Sequence, residues 1–144
     1  MKVRPFCLLV LFIGLLSTSV SSQTEDRRCL LTIYFDTPAQ AAGKIYFLVF
    51  NDAKTFGKEK EAYNSAIVEP PQVAITLPYG TYAITCFQST DGDGNLKTNF
   101  MGIPKEPVGA SNNPTLMGAP KWSNTSFVVN RPQQSIRITL KKLF

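Results

Sequence analysis

Between Ser89 and Asn95 the chain reads Ser-Thr-Asp-Gly-Asp-Gly-Asn, with oxygen-bearing side chains at alternating positions, Ser89, Asp91, Asp93 and Asn95. A tight loop of this kind can wrap a hard cation such as Ca2+ in oxygen ligands. No late carboxylate follows at the spacing a complete calcium loop needs, and Lys97 sets a positive charge beside the cluster. A plain Asp-Gly turn explains the same residues. Catalysis has fewer candidates still. The chain contains no histidine, which removes Ser-His and Cys-His nucleophile pairs and every His-ligated metal site. Two carboxylates alone can hydrolyse a glycosidic bond, and the same region offers Glu106 with Asp91 or Asp93. Glu106, however, adjoins Lys105 as ordinary surface pairs do.

These residues sit in a long connection from Asp91 to Trp122. Connections in compact domains usually run about 4 to 6 residues, and structureless ones beyond about 15 are uncommon. A disordered segment lacks the apolar area to offset its ordering entropy, yet this one carries Leu96, Phe100, Met101, Ile103, Leu116, Met117 and Trp122. It is therefore expected to fold onto the body of the protein. Pro104 and Pro107 stiffen it, and Lys105, Glu106, Ser111, Asn112 and Asn113 supply donors and acceptors for a polar ligand. Asn residues also satisfy a loop's own backbone. Trp122 has two readings as well, a stacking platform or a residue that pins the loop to the core.

The elements that must position this loop are strands. Alternating and continuous apolar runs separated by turn signals predict strands near Cys29 to Phe35, Lys44 to Asn51, Ala66 to Glu69, Gln72 to Leu77, Thr81 to Gln88, Ser126 to Asn130 and Gln134 to Lys141. Seven short strands indicate an all-β fold, a single β-sandwich of immunoglobulin-like or transthyretin-like outline. Asp52 to Ala62 is the one stretch that reads as a short helix, and Gly57 weakens it. In the last strand Ile136, Ile138 and Leu140 share one face and Arg137, Thr139 and Lys141 the other.

Residues 1–22 have the pattern of a signal peptide: Lys2 and Arg4, an apolar run from Phe6 to Leu16, then Val20 and Ser22 as small residues before cleavage. The apolar run is too short to cross about 30 Å of hydrocarbon as a helix, and no later segment is apolar enough to do so. Residues 23–144 then form one domain, exported to the periplasm or secreted. Removing Lys2 and Arg4 from the 15 basic residues leaves 13 against 10 acidic, a net charge of +3. That excess is too small and too scattered for nucleic acid, which calls for a basic stripe. Lys54, Lys58 and Lys60 alternate with Glu59 and Glu61 as a solvated face does.

Cys29 and Cys86 are the cysteines that remain after cleavage. Strand alternation places Cys29 beside Leu31, Ile33 and Phe35, and Cys86 beside Tyr82 and Ile84, so both thiols are expected in the core. An oxidising compartment permits a disulfide between them; two separate buried thiols fit the pattern equally.

The stretch Leu77 to Phe87, the loop Asp91 to Pro107, and then Ser111-Asn112-Asn113, Gly118, Pro120, Trp122 and Phe127 together resemble the bacterial exported family termed domain of unknown function 2141. The most specific part is Gly-Ile-Pro-Lys-Glu-Pro, residues 102–107, followed by Ser-Asn-Asn. The resemblance implies a β-sandwich similar to transthyretin-like or carboxypeptidase-regulatory-like modules, exported across the inner membrane, and implies no established activity. The family pattern has His-Asp at the positions of Gln88-Ser89, an acid at Lys97, and aromatics near Val108 and Ala110. Those departures detach this chain from any cation-dependent or His-dependent role in relatives.

The sequence therefore leads to a non-catalytic binding or accessory module whose contact surface lies within residues 91–122, with a glycan, an envelope component or a protein as partner. The alternatives are a Ca2+-stabilised structural or adhesion module and, behind it, a carboxylate-based hydrolase.

Overall fold

The computed structural model describes residues 26–115 and 117–143. The signal-peptide expectation lies outside them. Eight strands are present: β1 (Arg28–Asp36), β2 (Lys44–Phe50), β3 (Asn64–Val68), β4 (Gln72–Pro78), β5 (Gly80–Ser89), β6 (Val108–Ala110), β7 (Phe127–Val129) and β8 (Gln133–Thr139). They form two sheets. The smaller has the order β4-β1-β8, and the larger runs β3-β2-β5-β6 with β7 also paired to β5. All pairs are antiparallel except β1 with β8, which are parallel.

The all-β sandwich and the seven expected strands are found. The additional strand, β6, lies inside the long connection, where three residues of Val-Gly-Ala carry no recognisable alternation. The stretch Asp52 to Ala62 is not a helix of any length: it is a series of turns with one 3-10 turn, Glu59–Glu61. A single helical turn, α1 (Trp122–Thr125), closes the long connection.

The core forms between the two sheets because the strands alternate. Cys29, Leu31, Ile33 and Phe35 of β1 face Ile45, Phe47 and Val49 of β2 and Tyr82, Ile84 and Cys86 of β5, all buried. Phe35 and Phe47 meet with ring centroids 6.1 Å apart. Each large apolar side chain removed from water in this way contributes about 1.5–3 kcal/mol. In β8, Ile138 is buried and Ile136 partly so, while Arg137 points outward to pair with Asp36 at 2.6 Å and to lie 5.2 Å over the Tyr34 ring. Val108 and Lys141 exchange backbone hydrogen bonds at 3.0 and 2.8 Å, which ties the larger sheet to the chain leaving β8.

Both thiols are free and buried. Cys29 stands in the smaller sheet and Cys86 in the larger, where its Sγ lies 3.6 Å from the carbonyl of Gly109. Of the two arrangements open from the sequence, the structure has the separate thiols. Burial pushes both upward from their ordinary pKa, so they stay protonated and unreactive at neutral pH.

Candidate functional site

The long connection folds back on itself in two stages, and Glu106 organises both. Its carboxylate is buried. One oxygen accepts the Thr90 backbone N–H at 2.9 Å and the other accepts the Lys97 N–H at 3.2 Å. A charged acceptor makes stronger hydrogen bonds than a neutral one, so one side chain closes the turn after β5 and anchors the next segment of the loop. From Lys97 to Glu106 the chain makes a small hairpin: Thr98 bridges Pro104, and the Lys105 N–H reaches the Lys97 carbonyl at 2.8 Å. Asn99 builds its tip, accepting the N–H groups of Met101 and Ile103 at 2.9 and 3.0 Å. The side chains at that tip, Phe100 and Met101, stand in solvent, Phe100 being 95% exposed.

The Ser89 to Asn95 turn is satisfied from within. Asp91 accepts the Ser89 hydroxyl and the Asp93 N–H, and Asp93 accepts the Asn95 N–H at 2.9 Å. The remaining oxygens of both carboxylates converge on Lys97, whose ammonium pairs with Asp91 and lies 3.6 Å from Asp93. A divalent cation there would have to displace that ammonium. No group of three or more His, Cys, Asp or Glu residues that could hold a metal occurs among the described residues. Gly94 packs this turn against β2: with φ at +75°, it leaves no room for a Cβ, which would stand 2.8 Å from the Tyr46 ring.

The Ser-Asn-Asn element is a clip. Ser111 is buried, donating to the Thr125 carbonyl at 2.6 Å and accepting the Ile84 N–H at 2.9 Å. Asn112 and Asn113 adopt φ of 63° and 47°, the left-handed region that Asn tolerates better than most residues. Asn112 donates to the Ser126 carbonyl at 2.8 Å, and Asn113 bridges Arg137 and Thr139 of β8 at 3.0 and 2.8 Å. Trp122 meets Phe56 edge-on at 5.9 Å, and Phe56 meets Phe50 in the same manner at 5.3 Å. Of the six residues the sequence offered as ligand contacts, Glu106, Ser111, Asn112, Asn113 and Trp122 thus hold the loop in place. Lys105 is the one left exposed with no ion-pair partner among the described residues.

The loop so fixed borders an apolar groove that the motifs of the sequence did not single out. Its floor is the outward face of the larger sheet, with Tyr46 and Leu48 of β2, Ile67 of β3 and Phe87 of β5. Tyr46 and Phe87 stack at 5.2 Å, nearly parallel. One wall comes from Phe56 and its turn, and the other from Leu96, Met101, Ile103, Pro104 and Met117 of the long connection. The groove is open to solvent along its length and offers a volume of about 1520 Å³. Ile67, Met101 and Met117 remain more than half exposed along it. A signal existed: β2 reads Lys-Ile-Tyr-Phe-Leu-Val-Phe, apolar on both faces, and a strand of that kind is covered on both sides. A second depression, on the smaller sheet between Thr32, Tyr34, Arg131 and Ser135, is shallower and more polar, about 430 Å³.

Comparison with curated proteins yields no match, and comparison with solved structures yields none. The sequence profile of a family described as "Uncharacterized protein conserved in bacteria (DUF2141)" matches residues 34–137, which take in β2 to β7 whole, the last three residues of β1 and all but the last two of β8, together with the long connection. The chain belongs to that family.

Proposed function

We propose that this protein is an exported, non-catalytic binding module whose contact face is the apolar groove between the long connection and the outer face of the larger sheet. The observation that carries the reading is the groove itself. Monomeric proteins rarely leave large contiguous apolar patches open, and those that persist mark interaction sites. Here the patch is concave and bounded by a loop held rigid through Glu106, Ser111, Asn112 and Asn113. Preorganisation of this kind lowers the ordering cost of binding.

Export is supported by the signal-like residues 1–22. Among the described residues no helix is long and apolar enough to cross a membrane. The absence of catalysis rests on the lack of histidine and on Glu106, whose two oxygens are both committed to backbone N–H groups. An apolar contact face favours an envelope component over a glycan as partner. The test is hydroxyl-radical footprinting of the mature protein with and without an envelope extract of the producing cells. Protection confined to Ile67, Met101 and Met117 supports this face; protection of Lys105, Asn112 and Asn113 with the groove unchanged places the contact elsewhere.

A further inference from the structure

The two lateral sides of the sandwich differ. On one, Val108 of β6 is bonded to Lys141 just past β8, and Asn113 occupies the Arg137 carbonyl and the Thr139 N–H. On the other, both sheets simply end, the larger at β3 and the smaller at β4. Among the described residues, no backbone hydrogen bond reaches residues 64–68 or 72–77 except from β2 and β1. The Phe35 N–H bonds the Pro71 carbonyl at 2.7 Å, and Leu31 and Ile33 stand opposite Ile75 and Val73. Bonded pairs alternate along an antiparallel ladder, so Val73 and Ile75 turn their backbone groups toward β1, while Gln72, Ala74 and Thr76 turn theirs outward.

Free strand edges are templates for further strands, and proteins usually blunt them with charge, proline or a bulge. This side is not blunted. From Ala62 to Thr90 the one charged residue is Glu69, already paired with Lys44 at 3.6 Å. Prolines stand at the strand ends, Pro70, Pro71 and Pro78, and leave residues 72–77 free. Ala66, Val68, Val73 and Ile75 pack against the core yet are only partly buried, so the interior is open between β3 and β4.

We propose that this side is the interface of a twofold dimer, in which the free edges of one copy pair with those of a second and both sheets run on across the axis. Packed sheets lie about 10 Å apart, so a single extended peptide covers one edge and leaves the other open. A second copy presents two edges at the same separation. The chain carries net positive charge, but this side holds no unpaired charge, so two copies meet here without the repulsion they meet elsewhere. The opposite side is closed, which makes the contact the same surface on both copies and stops assembly at two. With β4 seven residues long, at about 3.4 Å per residue, the side measures roughly 24 by 20 Å and buries on the order of 1,000 Å² in all, the small end of specific interfaces. The dimer therefore dissociates on dilution. The proposal is independent of what the groove binds, although the groove floor, which ends at Ser65 and Ile67 of β3, then continues into the second copy.

Sedimentation velocity of the mature protein from low micromolar to submillimolar concentration should show a monomer passing to a dimer and no further. Ala74→Pro removes one outward N–H and spares the bonds to β1, as proline on an edge strand does, and should stay monomeric throughout. Val128→Asp, in β7 on the closed side, should dimerise like the wild type. Hydrogen exchange reads the same contact in the unaltered chain: the Gln72, Ala74 and Thr76 amides should exchange about tenfold more slowly at the high concentration than at the low one. A wild type that stays monomeric, assemblies that grow past two, or exchange of those amides independent of concentration overturns the proposal, as does a folded Ala74→Pro that dimerises like the wild type. If circular dichroism shows Ala74→Pro unfolded, the exchange comparison decides.

Discussion

The Oε1 atom of Glu106 accepts the backbone N–H of Thr90 at 2.9 Å, across sixteen residues of chain. With Oε2 on the Lys97 N–H, the carboxylate joins the turn after β5 to the hairpin that walls the groove. Glu106→Gln replaces one of these acceptors by an NH2 group facing an N–H. Leaving a buried donor unsatisfied costs about 1–3 kcal/mol. The variant should melt several degrees lower with its far-UV circular dichroism unchanged, and the Thr90 and Lys97 amides should exchange faster. A carboxylate that served hydrolysis would instead show its loss in turnover with little loss of stability.

Lys97 pairs with Asp91 and lies close to Asp93 in a partly exposed setting. Ion pairs so exposed contribute only about 0.2–1 kcal/mol. Lys97→Met should therefore lower the melting temperature slightly. Because the ammonium already holds both carboxylates, millimolar Ca2+ should leave the melting temperature of the wild-type protein unchanged; a ligand that bound the native state alone would raise it. Differential scanning calorimetry with Ca2+ and with a chelator measures both.

Asn113 is bonded to two backbone groups of β8 while its own φ is positive. Asn113→Ala loses both bonds and strains the backbone; Asn113→Gly loses the bonds and relieves the strain. Destabilisation of about 1–3 kcal/mol is expected for the alanine variant and less for the glycine variant. Faster exchange of the Thr139 amide in both identifies the clip as the cause.

Burial pushes the thiols of Cys29 and Cys86 up from an ordinary value near 9. Tyr82 is also raised, by burial and then by its neighbour Tyr63. Unfolded, these groups lose their protons at lower pH than they do in the fold, so the native state binds more protons. The stability they confer is complete below the unfolded values and is lost as pH rises above about 9. Chemical denaturation between pH 7 and 10.5 should show falling stability, and Cys86→Ala should flatten that slope. Neither thiol should react with a thiol reagent at pH 7.5 until the protein unfolds.

The sandwich was legible because burial on one face of a strand leaves an alternating signature, and Cys29 to Phe35 and Ile136 to Leu140 carry it openly. The loop was legible as ordered from its apolar content. Its polar residues were harder to assign, since Asn112 and Asn113 look alike whether they greet a ligand or cap a backbone, and only the positions of Ser126, Arg137 and Thr139 decide between the two. The strand Val108–Ala110 depends on its pairing with β5, distant in sequence. The groove depends on where residues 91–122 come to lie, although the apolar outer face of β2 already marked the surface they border.

The most direct test of the groove as contact face is the fluorescence of the neutral apolar dye N-phenyl-1-naphthylamine with the mature protein and with two variants. The dye should brighten on the wild type and on Val128→Asp, which puts a charge on an exposed apolar residue outside the groove, and should stay dark on Ile67→Asp, whose charge enters the groove without disturbing a buried residue. A dye that ignores the wild-type protein, or that binds Ile67→Asp as well as the wild type, contradicts the groove as contact face.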